Sequence, residues 1–195
     1  MGKQVGKQQL TDQAIALFRA KGYSATSIDE IVKACGITKG SLYYHFRSKE
    51  ELALAAMDQV HRHFVDHVFH LITAVETPGV DELAAFDQAV ETFFLGHPDG
   101  CLLANLSLEI GASSELFKAR IRRFFDDWRA CYAEVFTGTH PPARAATLAE
   151  DAVASVHGCI LMHRIDGNIE PLRRQHRKLL ALASQEGRDA APSAD

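Results

Sequence analysis

The stretch Thr38-Lys39-Gly40-Ser41-Leu42-Tyr43-Tyr44-His45-Phe46, followed at once by Ser48-Lys49-Glu50-Glu51-Leu52, constrains this chain more than any other. It places helix caps, a basic side chain, hydroxyls and two outward-facing aromatics in a piece too short to form a core. Upstream, a capped run of apolar residues ends at Cys35-Gly36. The order is therefore helix, tight turn, short polar helix, which is how a helix-turn-helix offers a reading helix to the major groove of duplex DNA.

The charge distribution agrees with that layout although the total does not. The 195 residues carry a formal net charge of -4, yet residues 1 to 50 hold eight Lys or Arg against four Asp or Glu, a balance of +4, and the remainder carries -8. A basic front on an acidic body confines contact with a polyanion to the N-terminal part. A hydrophobic content of 47% allows a substantial core. Cys35, Cys101, Cys131 and Cys159 lie far apart with no Cys-x-x-Cys pair, which fits reduced thiols. No pattern calls for a bound cofactor. Met1 to Lys7 lacks the apolar run of a signal peptide and no later stretch reads as a membrane span, so the expectation is a soluble, cytoplasmic protein without a membrane partner.

Helical periodicity runs through the chain. Leu10, Ala14, Leu17 and Phe18 predict a first helix over 8–21, stopped by Gly22. Ser27 with Glu30 forms a capping box that opens the second helix, which Gly36 closes; Thr38 caps the third, and Ser48 with Glu51 opens the fourth. From Ser48 no Pro or Gly intervenes before Thr77-Pro78-Gly79, which predicts one long linking helix over 48–76. Further helices are expected at about 81–95, 101–111, 114–136, 142–165 and 168–185, and no sustained alternation predicts a sheet. The expected fold class is all-α: an N-terminal three-helix domain over residues 1–50, a long linking helix, a helical ligand-binding and dimerisation domain over 51–185, and a flexible tail over 186–195.

On Phe18, Gly22-Tyr23, Thr26-Ser27-Ile28, Cys35-Gly36-Ile37 and Lys39 to Phe46 leading into Lys49-Glu50-Glu51-Leu52, residues 8–54 resemble the N-terminal domain of the tetracycline-repressor (TetR) family of bacterial transcription regulators. Leu42 and Phe46, four apart, can anchor the short helix and turn Lys39, Ser41, Tyr43 and Tyr44 outward. Lys39, early in that helix, can donate to guanine O6 or N7. The resemblance implies that Tyr43, Tyr44 and His45, with Thr26, Ser27 and Lys49, contact or position the sugar-phosphate backbone. Gly40 lets the backbone approach closely, and the helix N-termini near Ser27, Thr38 and Ser48 suit phosphates. The other reading of this region is a helical hairpin in a protein-interaction adaptor.

One short reading helix makes too few contacts for a specific operator, so a homodimer on a palindromic duplex is expected. Ala145, Ala146, Ala149, Ala152, Ser155, Val156, Cys159 and Ile160, with Ile169, Leu172, His176, Leu179 and Ala183, offer a face for a four-helix seam or for the chain's own core. The aromatics Phe64, Phe69, Phe86, Phe93, Phe94, Phe117, Phe124, Phe125, Trp128 and Tyr132 are core candidates. Among them a pocket for a small apolar effector would draw on Phe64, Phe94, Trp128 and polar groups such as Asn105, Arg129, His157 or His163.

Gly100-Cys101, opening the sixth predicted helix, is similar to a subgroup of the family some of whose members respond to electrophiles. A thiol in a first helical turn should have a lowered pKa and be available for attack, while a buried apolar filler is the alternative role. His61, His63, His67 and His70 crowd the linking helix, where a spacing of four could hold a transition metal or simply form a solvated face. A thiol enzyme using Cys101 and His97 is the main competing class, but the sequence shows no oxyanion loop or third orienting group.

Overall fold

The computed structural model describes residues 6–110 and 114–184, and among them all regular structure is helical. The elements are α1 (Lys7–Lys21), α2 (Ile28–Cys35), α3 (Lys39–His45), α4 (Lys49–Phe64), a π-helical segment (Val65–Phe69), α5 (His70–Thr73), α6 (Val80–Leu95), α7 (Leu102–Ile110), α8 (Glu115–Thr137), α9 (Pro142–Asp166) and α10 (Glu170–Ala183). The tail expected over 186–195 lies outside the described residues. The linking helix is not one uniform α-helix to residue 76. It widens to π geometry at Val65 and ends at Thr73.

The described residues form two compact units: residues 6–64 with 99–110 and 114–124, and residues 65–98 with 125–184. The first is therefore more than a three-helix head, since α7 and the first half of α8 belong to it. Its caps are local. Ser27 Oγ accepts the Glu30 N–H while Glu30 returns to the Ser27 N–H, completing the expected box. At α4 the Ser48 hydroxyl accepts from Glu51 N–H, but the Glu51 carboxylate reaches one residue further back, to the Arg47 N–H at 2.7 Å. Gly36 closes α2 in the left-handed region (φ 66, ψ 36). Gly22 combines φ 87 with ψ 164, an extended mirror-image conformation that essentially only glycine adopts. Leu10, Ala14 and Phe18 of α1, Ile31 of α2, Leu42 and Phe46, Leu52 and Met57 of α4, and Leu102, Leu103 and Leu106 of α7 are sealed in this unit, with Phe124 edge-on to Phe64 at 5.1 Å.

The second unit packs aromatics at its centre. Phe86 meets Tyr132 at 5.3 Å, and Phe69 lies 6.3 Å from Phe86 and 6.0 Å from Trp128. Arg173 ties α10 to α6 through Glu91 at 2.7 Å and is also paired with Glu170. On α9 and α10 the residues expected as a dimer seam are mostly spent inside the unit: Ala145, Ala149, Ala152, Val156, Ile160, Leu172, His176, Leu179 and Ala183 are buried, and α9 packs on α10. The face left outside carries Ala154, Gly158, Leu161, Met162 and Ile165. By length and composition α9 could cross a bilayer, contrary to the sequence expectation. Its buried positions recur at three and four against α10, as in the core helix of a water-exposed bundle.

A polar cluster interrupts this apolar interior. Asp87 Oδ1 accepts from the Tyr132 hydroxyl at 3.2 Å and lies 3.7 Å from His176 Nε2, all three side chains being buried. Burial pushes the Asp87 carboxyl up to about 8 from 3.8 and holds His176 and His157 down at about 4 from 6.5. Asp87 and His176 therefore meet as neutral groups near pH 7. Between 3.8 and about 8 the folded chain keeps a proton on Asp87 that the unfolded chain releases, so this residue makes stability fall with rising pH, by at most about 1.4 kcal/mol per pH unit. The histidines act oppositely: the stability linked to them is complete above 6.5 and is lost as pH falls toward 4. Asp87→Asn is expected to abolish the decline above pH 6.5 and to steepen the acid limb, where Asp87 opposes the histidines. Urea titrations at about pH 5, 6.5 and 8, followed by emission of the single tryptophan, Trp128, check this. An unchanged alkaline decline would mean that Asp87 is already ionised in the folded chain.

Candidate nucleic-acid interface and thiol site

α3 is seven residues long and cannot persist alone, so its geometry comes from its anchors. Leu42 and Phe46 are 0% and 1% exposed, and the Lys7 ammonium lies 4.9 Å over the Phe46 ring. The opposite side is open: Lys39, Gly40, Ser41, Tyr43 and Tyr44 are exposed, Tyr44 at 86%, while His45 is half-buried with its ring edge-on to Tyr44 at 5.1 Å. Thr38 caps the helix by accepting from the Ser41 N–H at 3.3 Å. Around a Cβ placed on Gly40 only Thr38 Oγ1, at 3.8 Å, lies within contact range, so the absent side chain keeps the outer surface of α3 low.

A family model described as "Bacterial regulatory proteins, tetR family" matches residues 10–56, and one described as "Transcriptional regulator LmrA/YxaF-like, C-terminal domain" matches residues 87–178. The solved structure of a TetR transcriptional regulator from Chloroflexus aurantiacus is 30% identical, with a TM-score of 0.78 over 92% of this chain and 94% of that one. The chain belongs to the TetR family of transcriptional regulators. It is a non-enzymatic regulator. It is similar to the HTH-type transcriptional repressor DhaR of Mycobacterium sp. (strain GP1), 27% identical over 85% of this chain and 86% of that protein. It is also similar to the HTH-type transcriptional regulator LmrA of Bacillus subtilis, 29% identical over 85% and 90%.

Two side chains of the interface of this TetR-family regulator depart from the roles the sequence suggested. Thr26 is fully buried; its hydroxyl donates to the Gly22 carbonyl at 2.7 Å and sits 3.3 Å from the Leu17 carbonyl, so it braces the α1–α2 turn and is not offered to a phosphate. Lys49 lies 4.2 Å over the Tyr23 ring, half-buried, and desolvation pulls its pKa down. Ser27 is exposed, but its hydroxyl is engaged with Glu30, whose carboxyl is held at about 2 first by Lys21 and then by Ser27. Sequence reasoning missed Asp29. Its carboxylate pairs with Lys39 at 2.8 Å and raises the Lys39 pKa, so the proposed base-reading ammonium carries an intramolecular competitor.

The sensing candidates divide between the units: Cys101, Asn105 and Phe64 belong to the first, Phe94, Trp128 and His157 to the second. Cys101 stands just before α7, where its carbonyl accepts the Asn105 N–H and the Asn105 side chain donates to the Asp99 carbonyl. The expected lowering of its pKa is reversed. N–H groups of Ala104 and Leu103 and the charge of Arg19 favour the thiolate, but burial dominates and pushes the thiol up. His157 Nδ1 donates to the Val153 carbonyl at 3.0 Å, the ring lies edge-on to Trp128 at 4.7 Å and Phe125 at 4.8 Å, and Nε2 has no hydrogen-bond partner among the described residues. In the histidine run, His61 is buried edge-on to Phe124 at 5.7 Å while His63, His67 and His70 are exposed; no group of three or more metal-ligating side chains occurs among the described residues.

Because an exposed ion pair is weak, Asp29→Asn is expected to raise affinity for random-sequence duplex by about threefold. Fluorescence-anisotropy titrations at fixed salt measure it. Equal affinities would remove Lys39 from the DNA contact.

Proposed function

We propose that this regulator is a cytoplasmic, homodimeric repressor that reads a palindromic operator through α3 and is released by a small apolar or electrophilic effector. The observation that carries the DNA reading is the two-sided character of α3: two sealed anchors, with Lys39, Ser41, Tyr43 and Tyr44 offered outward. Thr38, Lys39, Gly40, Ser41, Tyr43, Tyr44, His45 and Ser27 form the proposed contact surface, Lys39 toward a base edge and the others toward phosphates. Thr26 and Lys49 act from behind it, through the turn and the Tyr23 ring. The name of DhaR, a transcriptional repressor, favours repression. Dimerisation is assigned to the outer stripe of α9, Ala154, Gly158, Leu161 and Ile165, because small residues there permit close approach of a second helix and the larger ones are otherwise exposed apolar surface.

Effector sensing is assigned to two features. His157, with an unpartnered buried Nε2 between two aromatic rings, suits a mostly apolar molecule that offers one hydrogen-bonding group. Cys101 suits a small electrophile that enters when α7 opens: exposure removes the desolvation that suppresses the thiolate and leaves the two N–H groups and Arg19 that favour it. With an activated alkene as the electrophile, the thiol proton passes to solvent, the sulfur lone pair forms the new S–C bond at the β-carbon, and the C=C π bond breaks, its electrons passing to the neighbouring carbon, which takes up a proton from solvent. The adduct then holds α7 away from its closed position, shifting the linking helix and the spacing of the paired reading helices.

Electrophoretic shifts with duplexes from the chromosomal sequence flanking the coding region test this. Lys39→Ala should weaken specific binding by about tenfold, the cost of losing one good base contact. Leu161→Glu with Ile165→Glu should give monomers by sedimentation and abolish specific binding. Cys101→Ser should bind normally yet ignore N-ethylmaleimide; a response that survives in Cys101→Ser removes the thiol from the mechanism and leaves the DNA reading intact.

A further inference from the structure

Glu109 lies at the end of α7 remote from Cys101, and its carboxylate is seated on the bare backbone between α1 and α2. Oε1 accepts the Tyr23 N–H at 3.1 Å and Oε2 accepts the Ser24 N–H at 2.9 Å, across 86 and 85 residues of sequence. The seat exists because Gly22, at φ 87, turns two successive N–H groups to one side, forming an anion-holding concavity. The approach is so close that a Cβ on Gly22 would clash with the Glu109 carboxylate.

The seat is coupled to the interface by short links. Two residues beyond Ser24, the Thr26 hydroxyl closes the same turn onto the Gly22 carbonyl, and the next residue, Ser27, is the N-cap of α2. Tyr23 carries the Lys49 ammonium on its ring and packs on Phe18 at 5.5 Å and Phe117 at 5.7 Å. Glu109 is among the charges that favour the protonated Lys49. A displacement of α7 that withdraws Glu109 therefore leaves two backbone donors without their charged acceptor at the turn that aims the start of α2.

We propose that Glu109 is a positioning residue for operator binding: by clamping Tyr23 and Ser24 it sets the α1–α2 turn and the Ser27 end of α2, so that the state of α7 is read out as DNA affinity. This rests on the DNA-binding role proposed above. Glu109 itself touches no DNA in this scheme; it acts through Ser27 and the Tyr23–Lys49 pair.

The test uses full-length protein, the flanking-sequence duplex, a random-sequence duplex, and Glu109→Ala beside Glu109→Gln, which retains one acceptor. Since hydrogen bonds to a charged group are among the stronger ones, Glu109→Ala should lose about tenfold in operator affinity. Glu109→Gln should fall between it and the wild type, and random-duplex affinity should fall as well, since Ser27 is placed toward phosphates, with the protein still fully folded before its urea transition. Hydrogen exchange at the Tyr23 and Ser24 amides should accelerate while exchange within α1 stays as it was. Unaltered operator affinity with faster exchange at those amides overturns the proposal, as does a loss of binding no larger than the fraction of protein that the urea transition shows to be unfolded, which marks a merely structural residue. A wild-type protein that binds no operator sinks the DNA role, and the positioning role with it.

Discussion

The burial of Leu42 and Phe46 is the contact on which the functional surface depends. A helix of seven residues gains too few hydrogen bonds to offset its ordering entropy, so α3 exists because two side chains one turn apart are removed from water, each contributing about 1.5–3 kcal/mol. Fixing that one face fixes the other. Tyr43 and Tyr44 are held outside because the residues beside them are held inside, and Thr38 completes the arrangement by satisfying the first turn.

The same competition between burial and polarity decides the thiol and carboxyl chemistry. A helix start, two N–H groups and a guanidinium all favour a Cys101 thiolate, yet removal from water outweighs them while α7 is closed. At Asp87 the Tyr132 hydroxyl favours ionisation and is again outweighed. Groups tuned this way change state when their surroundings open, which couples chemistry to conformation without any strained bond.

On α9 and α10, periodicity gave one candidate face with two possible uses, a dimer seam or the chain's own core. The Ala145, Ala149, Ala152, Val156 stripe could pack on a second molecule, as the family resemblance suggested, or on the chain itself; packing against α10 chose the latter. The proposed dimer face moves by about half a helix turn, to a stripe that pairs the small Ala154 and Gly158 with the exposed Leu161 and Ile165.

Helix caps, glycine stops and the i, i+4 anchors of α3 act within a few residues, and they were legible in the sequence: the Ser27–Glu30 box, Gly36, Thr38 and the outward tyrosines all stand where local rules put them. The inward turn of Thr26, the Asp29–Lys39 pair, the π turn at Val65 and the division of the sensing candidates between two units were not legible. Each depends on which distant segment occupies the neighbouring space. Glu109 shows the limit most clearly, because nothing near residue 109 signals that its carboxylate belongs to a turn 85 residues earlier. Sequence determined most of the helices and the two-sided character of α3, since those follow from spacing along the chain. Tertiary structure decided which polar groups are spent internally and which remain for a partner, since desolvation and hydrogen-bond geometry are set only when the helices meet.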